Sequence, residues 1–149
     1  MSLAVDAHQH FWAYGTYQTS WMEVPPYAGD PAFRLLRRSF QPDDLTPELK
    51  AAAVQYTVTI EAADDLTENK SLFAKARGHD WIAGVVGWAP LADSGELERT
   101  LDACAGKPLV GIRSIGARCT RLRCRQPSRA QLVVRHKWII FGYSPGPYA

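Results

Sequence analysis

The chain has 149 residues, of which 46% are hydrophobic and 21% are charged. These values are ordinary for a globular domain and exclude a disordered or fibrous chain. The formal net charge of +2 conceals two unequal parts. Residues 1–113 contain ten Lys and Arg against all 15 acidic residues, a balance of −5, whereas residues 114–149 contain seven Lys and Arg and no acidic residue. No run approaches the roughly 18–20 apolar residues that a membrane-spanning helix needs.

The N-terminus and the cysteines predict a reducing, cytoplasmic setting. Met1–Asp6 has no basic segment and reaches an acidic residue after three apolar positions, so we expect no signal peptide. Three cysteines do not form an even-numbered disulfide framework. Cys119, Cys124 and His136 offer three zinc ligands where a closed structural site uses four, so we do not expect a structural zinc site there.

Four apolar segments predict strands, and the segments between them predict three helices. A short strand is expected over Leu3–His10, and a long irregular stretch rich in aromatic residues follows it. The first helix is expected to begin near Asp44, with Thr46 as its N-cap and Pro47 at the first helical position. The remaining strands are expected over residues 54–60, 82–88 and 109–113, with the third helix capped by Asp93 or Ser94.

The repeat length of these units predicts the fold class. The second, third and fourth strands begin 28 and 27 residues apart, a spacing that suits right-handed βαβ units with a parallel sheet. An eight-stranded barrel of about 250 residues uses roughly 31 residues for each unit. The expected fold is therefore α/β: the N-terminal half of a (β/α)8 TIM barrel, with about four parallel strands, followed by an irregular tail. A doubly wound open sheet is the alternative, although no glycine-rich phosphate loop follows the first strand.

The pattern of strands and helices is lost after Arg113. Residues 114–135 show no helical or strand periodicity, and Ile139–Phe141 is the one short strand expected beyond them. We therefore divide the chain into residues 1–113 and a basic, acid-free tail of residues 114–149. Arginines in the tail could bind nucleic acid electrostatically, although the tail has neither a recognisable fold nor the interleaved aromatic residues that such binding commonly uses.

His8 and His10 are the first candidate site residues. Positions i and i+2 of a strand share one face, and barrel active sites lie at the carboxyl ends of the strands. The two imidazoles could bind a divalent metal such as zinc that activates water, or could orient a substrate carbonyl and move protons. The alternative is a partly buried pair whose nitrogens are satisfied by backbone carbonyls.

Two further strand ends carry charged candidates. Glu61 could act as a base, a metal ligand or a substrate contact, and the guanidinium of Arg113 could hold a substrate carboxylate. The alternative is an ordinary ion pair between the two at the rim of the barrel. Trp88 at the end of the third strand could form a pocket wall, and Trp12 in the long first loop could stack on a sugar-like ligand.

These residues lie in segments that resemble a known family. Asp6–Trp12 is similar to the opening of amidohydrolase-related (amidohydrolase 2) proteins of the sugar-lactonase type, such as L-fuconolactonases and L-rhamnonolactonases. Four more segments agree with that family in order and spacing, so that the resemblance covers residues 3–113: Arg38–Leu45, Thr67–Asn69, His79–Trp88 and Leu109–Arg113.

The resemblance implies a barrel of the amidohydrolase superfamily that opens a lactone ring by adding water. His8 and His10 match the family's His-x-His, whereas Ser114 stands where the family has a further histidine, and Glu61 where glutamine is common. The family's aspartate on the last strand has no counterpart here. We therefore expect catalytic roles for His8, His10 and Arg113, with the two histidines as metal ligands where a divalent ion is bound. We expect Glu61, Trp88 and Trp12 to bind the substrate.

The sequence supports three functional hypotheses. The first is a hydrolase acting on a small sugar lactone, with impaired or absent activity in this chain. The second is a non-catalytic truncated remnant or interaction protein, which would associate with itself through exposed barrel edges. The third is a nucleic-acid-binding tail, whose salt-dependent binding would be lost on deletion of residues 114–149. Translation in another frame, or into an intron, after codon 113 would explain the loss of acidic residues, periodicity and resemblance together.

Overall fold

A parallel β-sheet organises the described part of the chain. This computed structural model describes residues 3–91, 93–114 and 139–140, the last two by their backbone alone. The strands lie side by side in chain order, and each neighbouring pair is parallel: β1 (Val5–Gln9), β2 (Tyr56–Ile60), β3 (Ile82–Trp88), β4 (Leu109–Arg113) and β5 (Ile139–Ile140). This sequential order confirms the partial barrel-like α/β fold, because a doubly wound sheet reverses its strand order.

Three α-helices connect the first four strands. They are α1 (Pro42–Ala51), α2 (Leu66–Gly78) and α3 (Ser94–Ala103). Asp93 caps α3, as the sequence predicts, by accepting a hydrogen bond from the backbone N–H of Glu96 at 2.9 Å. Apart from Ser114 and the backbone of β5, the predicted irregular tail and its Cys and His residues lie outside the described residues.

Helix α1 begins earlier than predicted. Its N-cap is Gln41 rather than Thr46, and Pro42 rather than Pro47 occupies the first helical position. The backbone N–H of Gln41 donates to Asp44 Oδ2 at 2.8 Å, and the Gln41 side chain accepts from the N–H of Asp44. Because this capping box satisfies the helix start, Pro47 lies inside the helix and the Thr46 hydroxyl instead donates to the carbonyl of Pro42 at 3.1 Å.

The segment between β1 and α1 is more ordered than the irregular stretch that the sequence predicts. It contains two 3-10 helices, Tyr17–Glu23 and Pro31–Leu36. Trp12 and Phe40 exchange backbone hydrogen bonds of 3.0 and 3.1 Å, which close the two ends of the segment against each other. The guanidinium of Arg37 donates to three backbone carbonyls of the same segment. We call residues 10–41 the first loop.

The main apolar core lies between the sheet and its helices. It combines side chains of α2, β3 and β4 with Ala89 and with Cys104, a free thiol and the one cysteine in the described ranges. Burying these side chains removes apolar surface from water and stabilises the packing of the helices on the sheet. Within the described ranges, no helix is long and apolar enough to cross a membrane.

Candidate active site

The carboxyl ends of three strands bring four of the predicted site residues together. His8 lies near the end of β1 and His10 follows it, while Glu61 follows β2 and Arg113 ends β4. The Nε2 atoms of His8 and His10 are 3.1 Å apart, so the two imidazoles converge on one point as the i, i+2 spacing predicts. The His8 side chain is exposed, whereas His10 is half-buried.

The hydrogen bonds of His10 define the atom that it presents to the site. Its Nδ1 lies 3.0 Å from the carbonyl oxygen of Ile60, and because a carbonyl only accepts, we assign the proton to Nδ1. Neutral His10 then presents a lone pair at Nε2, to which the Nε2–H of His8 donates. Burial lowers the pKa of His10 and Arg113 lowers it further, although the bond to Ile60 acts in the opposite direction.

Glu61 and Arg113 form the ion pair that the sequence left open as an alternative. Arg113 Nε donates to Glu61 Oε1 at 2.5 Å, and Nη2 donates to the backbone carbonyl of Glu61 at 2.7 Å. The Glu61 side chain is fully buried, whereas that of Arg113 is 24% exposed. Burial raises the pKa of Glu61 to about 7, against the lowering influence of Arg113. The carboxylate of Glu61 therefore orients the guanidinium at the barrel mouth.

A cavity of about 750 Å³ opens at this end of the sheet. One side of it is lined by the first loop, through four aromatic residues and Ser20, and another by residues 62–65 between β2 and α2. The predicted site residues His10, Arg113 and Trp12 line the cavity, whereas His8, Glu61 and Trp88 are not among its lining residues. The aromatic lining residues are Trp12, Tyr17, Trp21 and Tyr27.

The two predicted tryptophans are held in different ways. Trp12 donates from Nε1 to the carbonyl of Arg38 at 2.8 Å and packs edge-on against Phe40, with ring centroids 4.9 Å apart. Trp88 is held through its backbone, because Asn69 accepts from its N–H at 2.9 Å and donates to its carbonyl at 2.8 Å. Trp12 is thus placed to contact a ligand in the cavity, and the substrate-binding roles of Trp88 and Glu61 stay predictions.

Glu68 and Asn69, two polar residues at the start of α2, position parts of the site, although the sequence does not predict them as site residues. Asn69 fixes the end of β3 as described, and Gly87 permits its approach, since a Cβ there would lie 2.6 Å from Asn69 Oδ1. Glu68 is fully buried and accepts hydrogen bonds from two backbone N–H groups between β2 and α2. The available signal was the family-like Thr67–Asn69 segment, whose polar side chains occupy the first turn of a helix.

The histidine pair suits part of a metal coordination shell. Zinc–nitrogen bonds of about 2.0–2.1 Å place two neighbouring imidazole nitrogens of a tetrahedral site roughly 3 Å apart, close to the 3.1 Å between His8 Nε2 and His10 Nε2. The carbonyl bonded to Nδ1 of His10 is the kind of outer partner that orients a metal-ligating imidazole. Among residues 3–91 and 93–114, no group of three His, Cys, Asp or Glu side chains is placed to hold a metal.

The chain is similar in sequence to two curated proteins. It is 34% identical over 91 residues to an L-fucono-1,5-lactonase of Burkholderia ambifaria, an alignment that covers 61% of this chain and 29% of the relative. It is 30% identical over 112 residues to an L-fucono-1,5-lactonase of Burkholderia multivorans, covering 75% of this chain and 35% of the relative. The chain therefore spans about a third of the length of the curated relatives that it matches. No family model matches the chain.

Two crystal structures of an amidohydrolase from Burkholderia multivorans share the fold of the described residues. The structure with bound HEPES matches with a TM-score of 0.65 and 29% identity, and the structure with bound zinc matches with a TM-score of 0.64 and 30% identity. Each match covers 76% of this chain and 37% of the other. The resemblance seen in the sequence is therefore confirmed: the chain is similar to L-fucono-1,5-lactonases in sequence and to an amidohydrolase in fold, and it covers only part of their length.

Proposed function

We propose that residues 3–113 form one half of a lactone-hydrolase active site, in which His10 and Arg113 face the substrate. The observation that carries this proposal is that both side chains line one cavity at the carboxyl ends of parallel strands. Barrel enzymes assemble their active sites from several strands at that end. Similarity to L-fucono-1,5-lactonases supports the same chemistry.

Lactone hydrolysis requires a group that takes a proton from water and a group that polarises the lactone carbonyl. The oxygen of water bonds to the acyl carbon, the bond to the ring oxygen breaks, and the ring oxygen receives a proton, so that a hydroxy acid results. The guanidinium of Arg113 can polarise the lactone carbonyl and bind the carboxylate that forms, and the His8–His10 pair can orient the attacking water by hydrogen bonds. By the family resemblance, the group that takes the proton from water is an aspartate of the last strand, which has no counterpart in this sequence. A divalent ion, where bound, would be held by His8 and His10 and would lower the pKa of its bound water.

The aromatic side of the cavity supports a sugar lactone as the substrate class. One side of the cavity is aromatic, and none of its lining residues is a long aliphatic one. Aromatic rings stack on the apolar faces of sugar rings. The aromatic lining residues are Trp12, Tyr17, Trp21 and Tyr27. Trp21 and Tyr27 pack edge-on against each other, with ring centroids 5.3 Å apart, which keeps their positions fixed. A ring of pyranose size fits within about 750 Å³.

We further propose that the 149-residue chain hydrolyses lactones weakly or not at all. The family resemblance assigns a base to an aspartate of the last strand, yet residues 114–149 contain no Asp or Glu, and Ser114 replaces a family histidine. Translation in another frame, or into an intron, after codon 113 would account for this, and the DNA just beyond that codon should then encode a family-like continuation in another frame. We also propose a reducing, cytoplasmic setting, which is supported by three cysteines that form no even-numbered disulfide framework.

The proposal is tested by following hydrolysis of L-fucono-1,5-lactone with a pH indicator. We expect the purified full chain to give at most about a thousandth of the rate of the Burkholderia ambifaria relative, because an enzyme that lacks its general base commonly loses about 10²–10⁴-fold. His8→Ala serves as the variant that identifies turnover by this site. Turnover that depends on His8 and matches the relative would contradict the proposed impairment.

A second candidate function is association with itself or a partner barrel half. It is favoured by the exposure of Leu3 (68%), just before β1, and of Val5 (46%) and Tyr56 (39%), the first residues of β1 and β2, with β1 at the edge of the described sheet. Edge strands with apolar side chains promote pairing with other chains. Light scattering by the full chain distinguishes this function, since a stable monomer would exclude self-association. The nucleic-acid hypothesis concerns the tail, most of which lies outside the described residues, and it stays a prediction.

A further inference from the structure

We propose that Glu68 is a positioning residue that fixes the two sides of the cavity relative to each other. Its Oε2 accepts hydrogen bonds from the backbone N–H groups of Ala62 at 3.0 Å and Ala63 at 2.8 Å, and both residues line the cavity. Its Oε1 accepts from Gln18 Nε2 at 2.7 Å. One buried carboxylate therefore joins the connection after β2 to the 3-10 helix Tyr17–Glu23 of the first loop.

Gln18 extends this connection further into the first loop. Its Oε1 accepts from the backbone N–H of Ala13 at 3.1 Å, while its Nε2 is engaged by Glu68. Tyr17 and Ser20 flank Gln18 in the chain and line the cavity. A displacement of Gln18 would therefore move the side of the cavity that carries the aromatic residues.

Burying the polar side chain of Glu68 costs free energy. The Glu68 side chain is fully buried and Gln18 is 8% exposed, so both must satisfy their polar atoms inside the protein. Burial raises the pKa of Glu68, whereas its hydrogen bonds to Ala62, Ala63 and Gln18 lower it. An apolar residue would pack here without this cost but would leave the N–H groups of Ala62 and Ala63 without an acceptor.

The hydrogen-bond donors and acceptors of Gln18 and Glu68 allow a test in which the two residues are swapped. In Glu68→Gln, the amide NH₂ must face either the NH₂ of Gln18 or the two backbone N–H groups, so one donor meets another donor. In the double variant Gln18→Glu/Glu68→Gln, the new amide can donate to residue 18 and accept from Ala62 and Ala63. Residue 18 can still accept from Ala13, and the net charge is unchanged.

Hydrogen exchange of single backbone amides in the full chain measures these bonds directly. We expect Glu68→Gln to accelerate exchange at Ala62 and Ala63 at least about tenfold, and the double variant to restore rates to within about threefold of the original chain. Amides of β3 and β4 should keep their rates, which separates a local effect from general destabilisation. Glu98→Gln, at an exposed position of α3, is the matched control and should change none of these rates.

Gln18→Met keeps the test decisive if Glu68→Gln fails to fold. This variant removes the hydrogen bonds of the Gln18 side chain to Glu68 and to the Ala13 N–H, but it leaves the bonds that Glu68 accepts from Ala62 and Ala63. Amide exchange should therefore accelerate at Ala13 and stay slow at Ala62 and Ala63. The proposal is overturned if the double variant exchanges as fast as Glu68→Gln, or if Gln18→Met leaves Ala13 unchanged. Only the consequence for substrate rests on the proposed function, because amide exchange is measured without any lactone and does not depend on turnover.

Discussion

Replacing Arg113 with methionine is expected to lower the free energy of unfolding by about 2 kcal/mol at pH 7, because the buried carboxyl of Glu61 loses its hydrogen-bond donor. Glu61 is fully buried, and Arg113 provides a 2.5 Å hydrogen bond to its carboxylate. Methionine preserves much of the apolar stem of arginine, so the loss reports the guanidinium rather than packing. Urea denaturation followed by circular dichroism measures the change.

The matched variant Glu61→Gln retains an oxygen that can accept from Arg113 and should cost only about 1 kcal/mol. A loss for Arg113→Met no greater than this would show that the ion pair contributes nothing specific. The comparison also tests the family pattern, in which glutamine is common at this position.

The pH dependence of the same pair has a defined sign. The pKa of Glu61 is raised from 4.5 to about 7, so the folded protein binds this proton more tightly than the unfolded chain does. The stability contributed by the protonated carboxyl is therefore present in acid and is lost as the pH rises from about 4.5 to about 7. Between pH 5 and 8, the original chain should lose about 2–3 kcal/mol relative to Glu61→Gln. Parallel pH profiles of the two proteins would contradict this assignment.

The second large effect is expected at the histidine pair, where His10→Ala should weaken zinc binding at least about tenfold, or about 1.4 kcal/mol. His10 offers an unprotonated Nε2 that is held in place by the bond from Nδ1 to Ile60, and His8 Nε2 lies 3.1 Å from it. Removal of either imidazole leaves one nitrogen, which cannot chelate. Isothermal titration of the full chain with zinc chloride measures the difference.

His79→Ala is the control for zinc binding, because it removes the third histidine of the described ranges from a different place. His79 follows α2 and its Nδ1 lies 2.9 Å from the carbonyl of Lys75, so its loss should leave the zinc affinity unchanged. If His79→Ala weakens binding as much as His10→Ala does, the zinc is not held by the pair at β1.

The sequence predicted the strands β3 and β4 to the residue, because continuous apolar runs bounded by Pro and Gly leave few alternatives. It placed the start of α1 too late, because two prolines each offered a helix start and the Gln41–Asp44 capping box decided between them. The two 3-10 helices of the first loop were missed, since neither shows a periodic apolar pattern in the chain.

The candidate site was predicted in part. Strand ends identified His8, His10, Glu61 and Arg113, because local spacing and parallel pairing place such residues at one edge. The sequence did not decide whether Glu61 contacts substrate or Arg113. That contact joins two residues 52 positions apart, and no local sequence pattern encodes it. The role of Glu68 likewise depends on the side of α2 that packs against the first loop.

The most direct test of the proposed half-site is saturation-transfer NMR of L-fucono-1,5-lactone with the full chain, His10→Ala and His79→Ala. The proposal predicts transfer from the original chain and from His79→Ala, a signal reduced at least about fivefold in His10→Ala, and little conversion of the lactone above its spontaneous hydrolysis. Equal transfer from all three proteins, or none from the original chain, would contradict the claim that His10 and the cavity beside it bind a sugar lactone.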